Sequence, residues 1–101
     1  MSPASLAPSA TPAAASLPLD PRQLGRLRWR CRRGMLENDL LLERFFDRHG
    51  PAITQAQADT LAQLMDLPDN DLLDLLLGRA QPSGAHDTPA VHALLALLRR
   101  P

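Results

Sequence analysis

From Asp20 onward the chain is a succession of short leucine-bearing segments, each opened by a capping residue and closed by glycine or proline. That punctuation admits helices and little else. Asp20 can accept a bond from a free N–H of the first turn. Pro21 stands where its missing N–H costs nothing. Leu24, Leu27 and Cys31 then fall on one face, and Gly34 is a natural stop, which predicts a first helix over 21–33. A second helix is expected over 36–49. Leu40, Leu41, Leu42, Phe45 and Phe46 form its apolar stripe. Glu37 and Asp39 stand in its first turn, Arg48 and His49 in its last, and Gly50-Pro51 ends it.

Thr54-Gln55-Ala56-Gln57 fits a capping box and opens a third helix carrying Ala58, Leu61, Leu64 and Met65, closed by Pro68. A short fourth helix has Asp69 or Asn70 as its cap, Leu72, Leu73, Leu75 and Leu76 within, and Gly78 as its stop. After the polar loop 81–84, Thr88-Pro89 opens a fifth helix with Val91, Leu94, Leu95 and Leu98, and Arg99-Arg100 lie at its negative end. No segment alternates as a strand would. The expectation is an all-α fold, a small five-helix antiparallel bundle spanning 20–101 as one domain. Residues 1–19 are an uncharged Ala/Pro/Ser/Thr tract. It offers too little apolar surface to offset its ordering entropy, and a disordered tail is expected there.

Formal net charge is zero, but the charges are segregated. Six arginines and no acid fall within 22–33, whereas Asp59, Asp66, Asp69, Asp71 and Asp74 occupy 54–77 with no base. Arg22, Arg26, Arg30 and Arg33 recur at helical spacing and define an anion-binding face. The bland alternative pairs them with the acidic third and fourth helices of the same chain. Cys31 is the lone cysteine, so no internal disulfide forms and a reducing compartment is expected. No apolar run approaches the roughly 20 residues needed to cross a bilayer. No secretory signal or transit peptide is expected either, because no arginine precedes Arg22.

Catalytic patterns are missing. His49, His86 and His92 are not at metal-ligand spacing with any cysteine, and Ser83 sits in a loop that has no nucleophile-elbow pattern. Cys31 lies on the apolar face of its helix, which favours a buried, inert thiol. The densest chemistry is the corner Trp29-Arg30-Cys31-Arg32-Arg33-Gly34-Met35-Leu36-Glu37. Gly34 lets another backbone or a ligand come close. Arg33 and Glu37 flank it with a bidentate donor and an acceptor. The bland reading is a C-cap glycine beside an intramolecular Arg33–Glu37 pair.

Arg33-Gly34-x-x-Glu37 matches the R-G-x-x-E signature of the succinate dehydrogenase assembly factor 2 family, the SdhE-type flavinylation factors. The longer stretch Trp29-x-Cys31-Arg32-Arg33-Gly34-Met35-x-Glu37-x-Asp39-Leu40 resembles the bacterial branch of that family almost residue for residue. The resemblance runs over about 22–100 and takes in Phe45-Phe46 and Asp69-Asn70-Asp71-Leu72. The chain departs from it at Leu75, where family members often carry tryptophan, and in its longer N-terminal tract.

The resemblance implies a five-helix bundle that binds the flavoprotein subunit of succinate dehydrogenase or fumarate reductase. It implies promotion of covalent attachment of FAD to a histidine of that client. By it, the factor holds no cofactor or metal of its own and is not an enzyme. Arg33, Gly34 and Glu37 would insert near the client's flavin site, with Arg32, Trp29 and Asp39 in the surrounding contact surface. A bacterial cytoplasmic monomer that neither enters the membrane nor binds nucleic acid is the expected state. The alternatives are a small nucleic-acid-binding helical protein using the arginine-rich first helix, and a module that self-associates through its opposite charges.

Overall fold

The computed structural model describes residues 16–99. Among them are five α-helices and no strand: α1 Pro21–Arg30, α2 Leu36–His49, α3 Gln55–Leu64, α4 Asp69–Leu76 and α5 Pro89–Leu98. The all-α class is therefore as the punctuation predicts. Two 3₁₀ turns, Gly50–Ala52 and Gly84–His86, lie in connections expected to be plain loops.

The start signals act as read. Asp20 accepts from Gln23 N–H at 2.8 Å, and the Gln23 side chain returns an acceptor to Asp20 N–H at 3.1 Å. Thr54 and Gln57 form the same reciprocal pair at the head of α3, and Thr88 caps α5 through Val91 N–H. Each such cap stabilises by about 1 kcal/mol. Gly78 also ends α4 as expected. It stands at φ 77°, with Arg79 N–H donating to the Asp74 carbonyl and Gly78 N–H to the Leu75 carbonyl. These are the two bonds of a Schellman motif.

Three expectations need correcting. The first helix stops at Arg30 rather than 33, with Cys31 as its C-cap, so Arg32 and Arg33 leave the helix and Arg33 does not continue the arginine row. The cap of α4 is Pro68, not Asp69 or Asn70. The described chain also folds ahead of Asp20. Leu19 N–H donates to the Ile53 carbonyl at 2.9 Å and Gln55 N–H to the Leu17 carbonyl at 3.1 Å, around an isolated bridge between Pro18 and Thr54. The rest of the tract expected to be disordered, 1–15, lies outside the described residues, as does Arg100.

The core is built from Leu42, Phe45, Phe46, Ile53, Leu61, Leu64, Leu72, Val91 and Leu95, all buried. Each large apolar side chain so placed stabilises by roughly 1.5–3 kcal/mol. α2 packs on α4 and α5, and α3 packs on α5. By contrast α1 buries one residue along its length, Leu27, and lies against the 3₁₀ turn that follows α2. α1 is thus held at its end by Cys31, which is buried in the core, and leaves most of its surface free. That is the arrangement that exposes the corner between α1 and α2.

Candidate functional site

The corner is built from both ends. Where α1 stops, Arg32 N–H bonds the Trp29 carbonyl at 3.1 Å, and the chain turns through Arg33 and Gly34 into α2. Gly34 has φ 84°, a left-handed conformation that costs other residues about 1–2 kcal/mol. It is not the glycine stop expected for α1, since it lies three residues beyond the C-cap. Asp39, in the first turn of α2, fixes the turn from inside. One carboxylate oxygen accepts from Arg33 N–H at 2.9 Å, and the other from Gly34 N–H at 3.2 Å. Two adjacent backbone donors converging on one carboxylate form an anion-binding nest, filled here by the chain's own side chain.

The Arg33 side chain crosses to the link between α3 and α4. Its Nε donates to the Asp69 carboxylate, one terminal nitrogen to the Met65 carbonyl at 2.6 Å, and the other to the Leu67 carbonyl at 2.6 Å. With 18% of its side chain exposed, Arg33 supplies positive charge at the C-terminal end of α3, where free carbonyls collect. It therefore ties the corner to the body of the molecule and does not pair with Glu37. Asn38, fully buried, adds a parallel tie by donating to the Asp69 carbonyl at 3.0 Å.

With the corner clamped, other groups face outward. Glu37 is exposed and makes no hydrogen bond or ion pair among the described residues. An added Cβ at Gly34 would meet nothing within 4 Å, so the backbone there lies open. Trp29 is 73% exposed, with the Arg32 guanidinium stacked over its ring at 5.6 Å. Arg32 and Asp39 border a shallow cavity between α1 and α2 that also reaches Glu43.

Leu36 and Leu40, one turn apart on α2, are 67% and 49% exposed. Leu40 is thus a rim residue and not part of the buried stripe expected of it. Sequence reasoning missed both as site residues because leucine inside a helix reads as core. The signal available was their i, i+4 spacing on the face that carries Glu43 and Arg44. Exposed tryptophan and arginine are residue types enriched at the energetic centre of protein interfaces, and the exposed leucines add apolar surface beside them.

The arginines of 22–33 are only partly neutralised, and mostly by acids other than those expected. Arg28 pairs with Glu43 and Asp47 of α2 and lies over the Phe46 ring. Arg33 alone reaches the acidic half, at Asp69.

A nucleophile is not evident. Burial pushes the Cys31 thiol from 9.0 up to about 12, against the smaller opposing pull of Arg30 and Arg33. A thiol so held stays protonated and inert at neutral pH. His92 pairs with Asp87 at the head of α5.

The described chain is thus a small all-helical unit with an exposed corner clamped by its own side chains. The model of the family described as flavinator of succinate dehydrogenase matches residues 25–99. The chain is 54% identical over 80 residues to the FAD assembly factor SdhE of Ralstonia nicotianae, covering 79% of this chain and 84% of that one. It is 42% identical over 66 residues to the protein of the same name from Coxiella burnetii, covering 65% of this chain and 80% of that one. Identity to the one from Methylococcus capsulatus is 39% over 77 residues, covering 76% and 88%. No solved structure matches the chain at a significant level. The chain belongs to the succinate dehydrogenase flavinator family.

Proposed function

We propose that the chain is an assembly factor that binds the flavoprotein subunit of succinate dehydrogenase, or of fumarate reductase, and promotes covalent attachment of FAD to it, without being an enzyme. The observation that carries the reading is the open backbone at Gly34, at φ 84° with nothing within 4 Å of an added Cβ. It is locked by Asp39 beneath it and by Arg33 across the α3–α4 link. A bare, rigid backbone with Glu37 one turn away can enter a cleft between client domains that a side chain would fill.

The flavin supplies the reactive atom and the client supplies the nucleophile. This chain contributes position. Binding both client domains in one orientation converts a rare near-attack arrangement into a populated one and lowers the barrier without a proton or electron from the factor. The inert Cys31 thiol agrees with that division of labour. Arg33, Asp39 and Asn38 act as positioning residues, whereas Gly34, Glu37, Arg32 and Trp29, with Leu36 and Leu40, form the contact surface. The factor holds no cofactor of its own and acts in the bacterial cytoplasm. No described helix is long and apolar enough to cross a membrane, and the similar proteins are bacterial.

Co-expression with the cognate flavoprotein subunit, in a host lacking its own factor, tests the proposal. After denaturing electrophoresis the flavoprotein band is expected to fluoresce when the chain is present and to stay dark when it is absent. Equal fluorescence in both lanes would overturn it.

A further inference from the structure

The outward face of α1 has no ion-pair partner among the described residues. Arg22, Arg26 and Arg30 are exposed and make no ion pair among the described residues, unlike Arg28 and Arg33. Spaced four residues apart, they form a row that rises about 12 Å along the axis while winding gradually around the helix. Beside the row, α1 and α3 leave an open cleft. Its floor is apolar, from Leu19, Leu27, Ala58 and Ala62, and Arg26 and Arg30 line one rim. Asp59, bonded to Gln55 at 2.9 Å, stands on the other rim. Arg30 also borders the hollow that contains Arg33 and Asp69, so the row runs without a break into the corner.

We infer that this row and cleft are a second docking surface, which seats an acidic amphipathic segment of the flavoprotein subunit while the corner engages near the flavin. The inference rests on the proposed function and specifies its partner chemistry. Three uncompensated guanidinium groups call for carboxylates at matching spacing, each able to be held in bidentate fashion. The apolar floor calls for aliphatic side chains between them. Nucleic acid fits less well: a phosphate backbone would gain nothing from the apolar part of the lining, and no aromatic ring lines the cleft to stack a base. The row steers encounter at long range, and the corner then sets the final orientation.

The full chain and its triple variant R22E/R26E/R30E would be titrated against the purified flavoprotein subunit, from low salt to roughly 0.3 M salt, where exposed charges are screened. The unaltered chain is expected to lose affinity steeply as salt rises. The triple variant is expected to bind about tenfold more weakly at low salt, with a nearly flat salt dependence and an unchanged thermal midpoint, because the three side chains are exposed. If the unaltered chain binds and the triple variant matches it in affinity and salt slope, the inference fails while the proposed function stands. If the variant loses retention on a single-stranded DNA column but keeps its flavoprotein affinity, the row is a nucleic-acid surface and the inference is overturned. If the unaltered chain does not bind the flavoprotein at all, both fall.

Discussion

Gly34 and Gly78 have nearly the same positive φ, 84° and 77°, but stand in different settings. Gly78 follows Leu77, the C-cap of α4, and its N–H and that of Arg79 close the helix end. A Cβ there would come within 3.8 Å of the Arg99 side chain, which in turn donates to the Leu75 and Ala80 carbonyls and fastens α5 to the end of α4. Gly34 closes no helix. Its N–H is taken by a side chain, Asp39, and its open side faces solvent. One glycine completes a helix and has the Arg99 side chain beside it, although it is itself exposed. The other is held in place from behind and left bare. In the proposed function, the left-handed glycine that docks is the one with nothing within 4 Å of an added Cβ.

The clamps behind Gly34 separate two kinds of corner residue, and substitution tests that separation. Arg33→Ala is expected to have the largest effect on folding. It leaves the Asp69 carboxylate and two carbonyls without their donor and lowers stability by about 2–3 kcal/mol, read as a fall in the urea midpoint. A loss below about 0.5 kcal/mol, the usual size for a surface substitution, would show that Arg33 is a free contact residue. Asp39→Ala strips one acceptor from two backbone donors that water can still reach. It is expected to cost about 1–2 kcal/mol, with faster hydrogen exchange at the Arg33 and Gly34 amides as its signature.

Glu37→Ala breaks no hydrogen bond or ion pair among the described residues. Its melting curve should superimpose on that of the unaltered protein, while affinity for the flavoprotein subunit falls about tenfold, near 1.4 kcal/mol. An unchanged affinity would remove Glu37 from the contact surface.

The smallest effect at neutral pH belongs to Cys31, the anchor at the end of α1. Its thiol is raised by burial to about 12, whereas an unfolded chain releases that proton near 9.0. The folded state thus keeps a proton that the unfolded state loses. The stabilisation is complete below pH 9.0 and is lost as pH climbs toward 12. Urea midpoints should decline across that window, less so in Cys31→Ala, and the native thiol should resist alkylation at neutral pH. Rapid native alkylation would contradict the burial.

Much of the fold was legible because its signals are local. Asp20-Pro21, Thr54 with Gln57, Thr88-Pro89 and Gly78 each specify a helix end through neighbours within four residues. The end of α1 was not legible. Cys31, Arg32 and Arg33 are all acceptable in a helix, and the helix stops where Cys31 enters the core and Arg33 finds Asp69, contacts set by tertiary packing. For the same reason the corner could be located from its residue types, but not divided into clamp and contact. The partners of Arg33 lie 32 to 36 residues away. The exposure of Leu36 and Leu40 depends on which face of α2 meets α4 and α5.

The comparison of the two glycines also supplies the most direct test of docking through the corner. Gly34→Ala and Gly78→Ala both force alanine into a left-handed conformation and are expected to lose similar stability, about 1 kcal/mol each. The flavoprotein affinity of both variants, measured by titration calorimetry well below their melting temperatures, separates strain from contact. The account predicts that Gly78→Ala binds like the unaltered chain and that Gly34→Ala binds at least about tenfold more weakly, because a methyl group now stands where the client backbone must approach. Equal affinities for the two variants would contradict it.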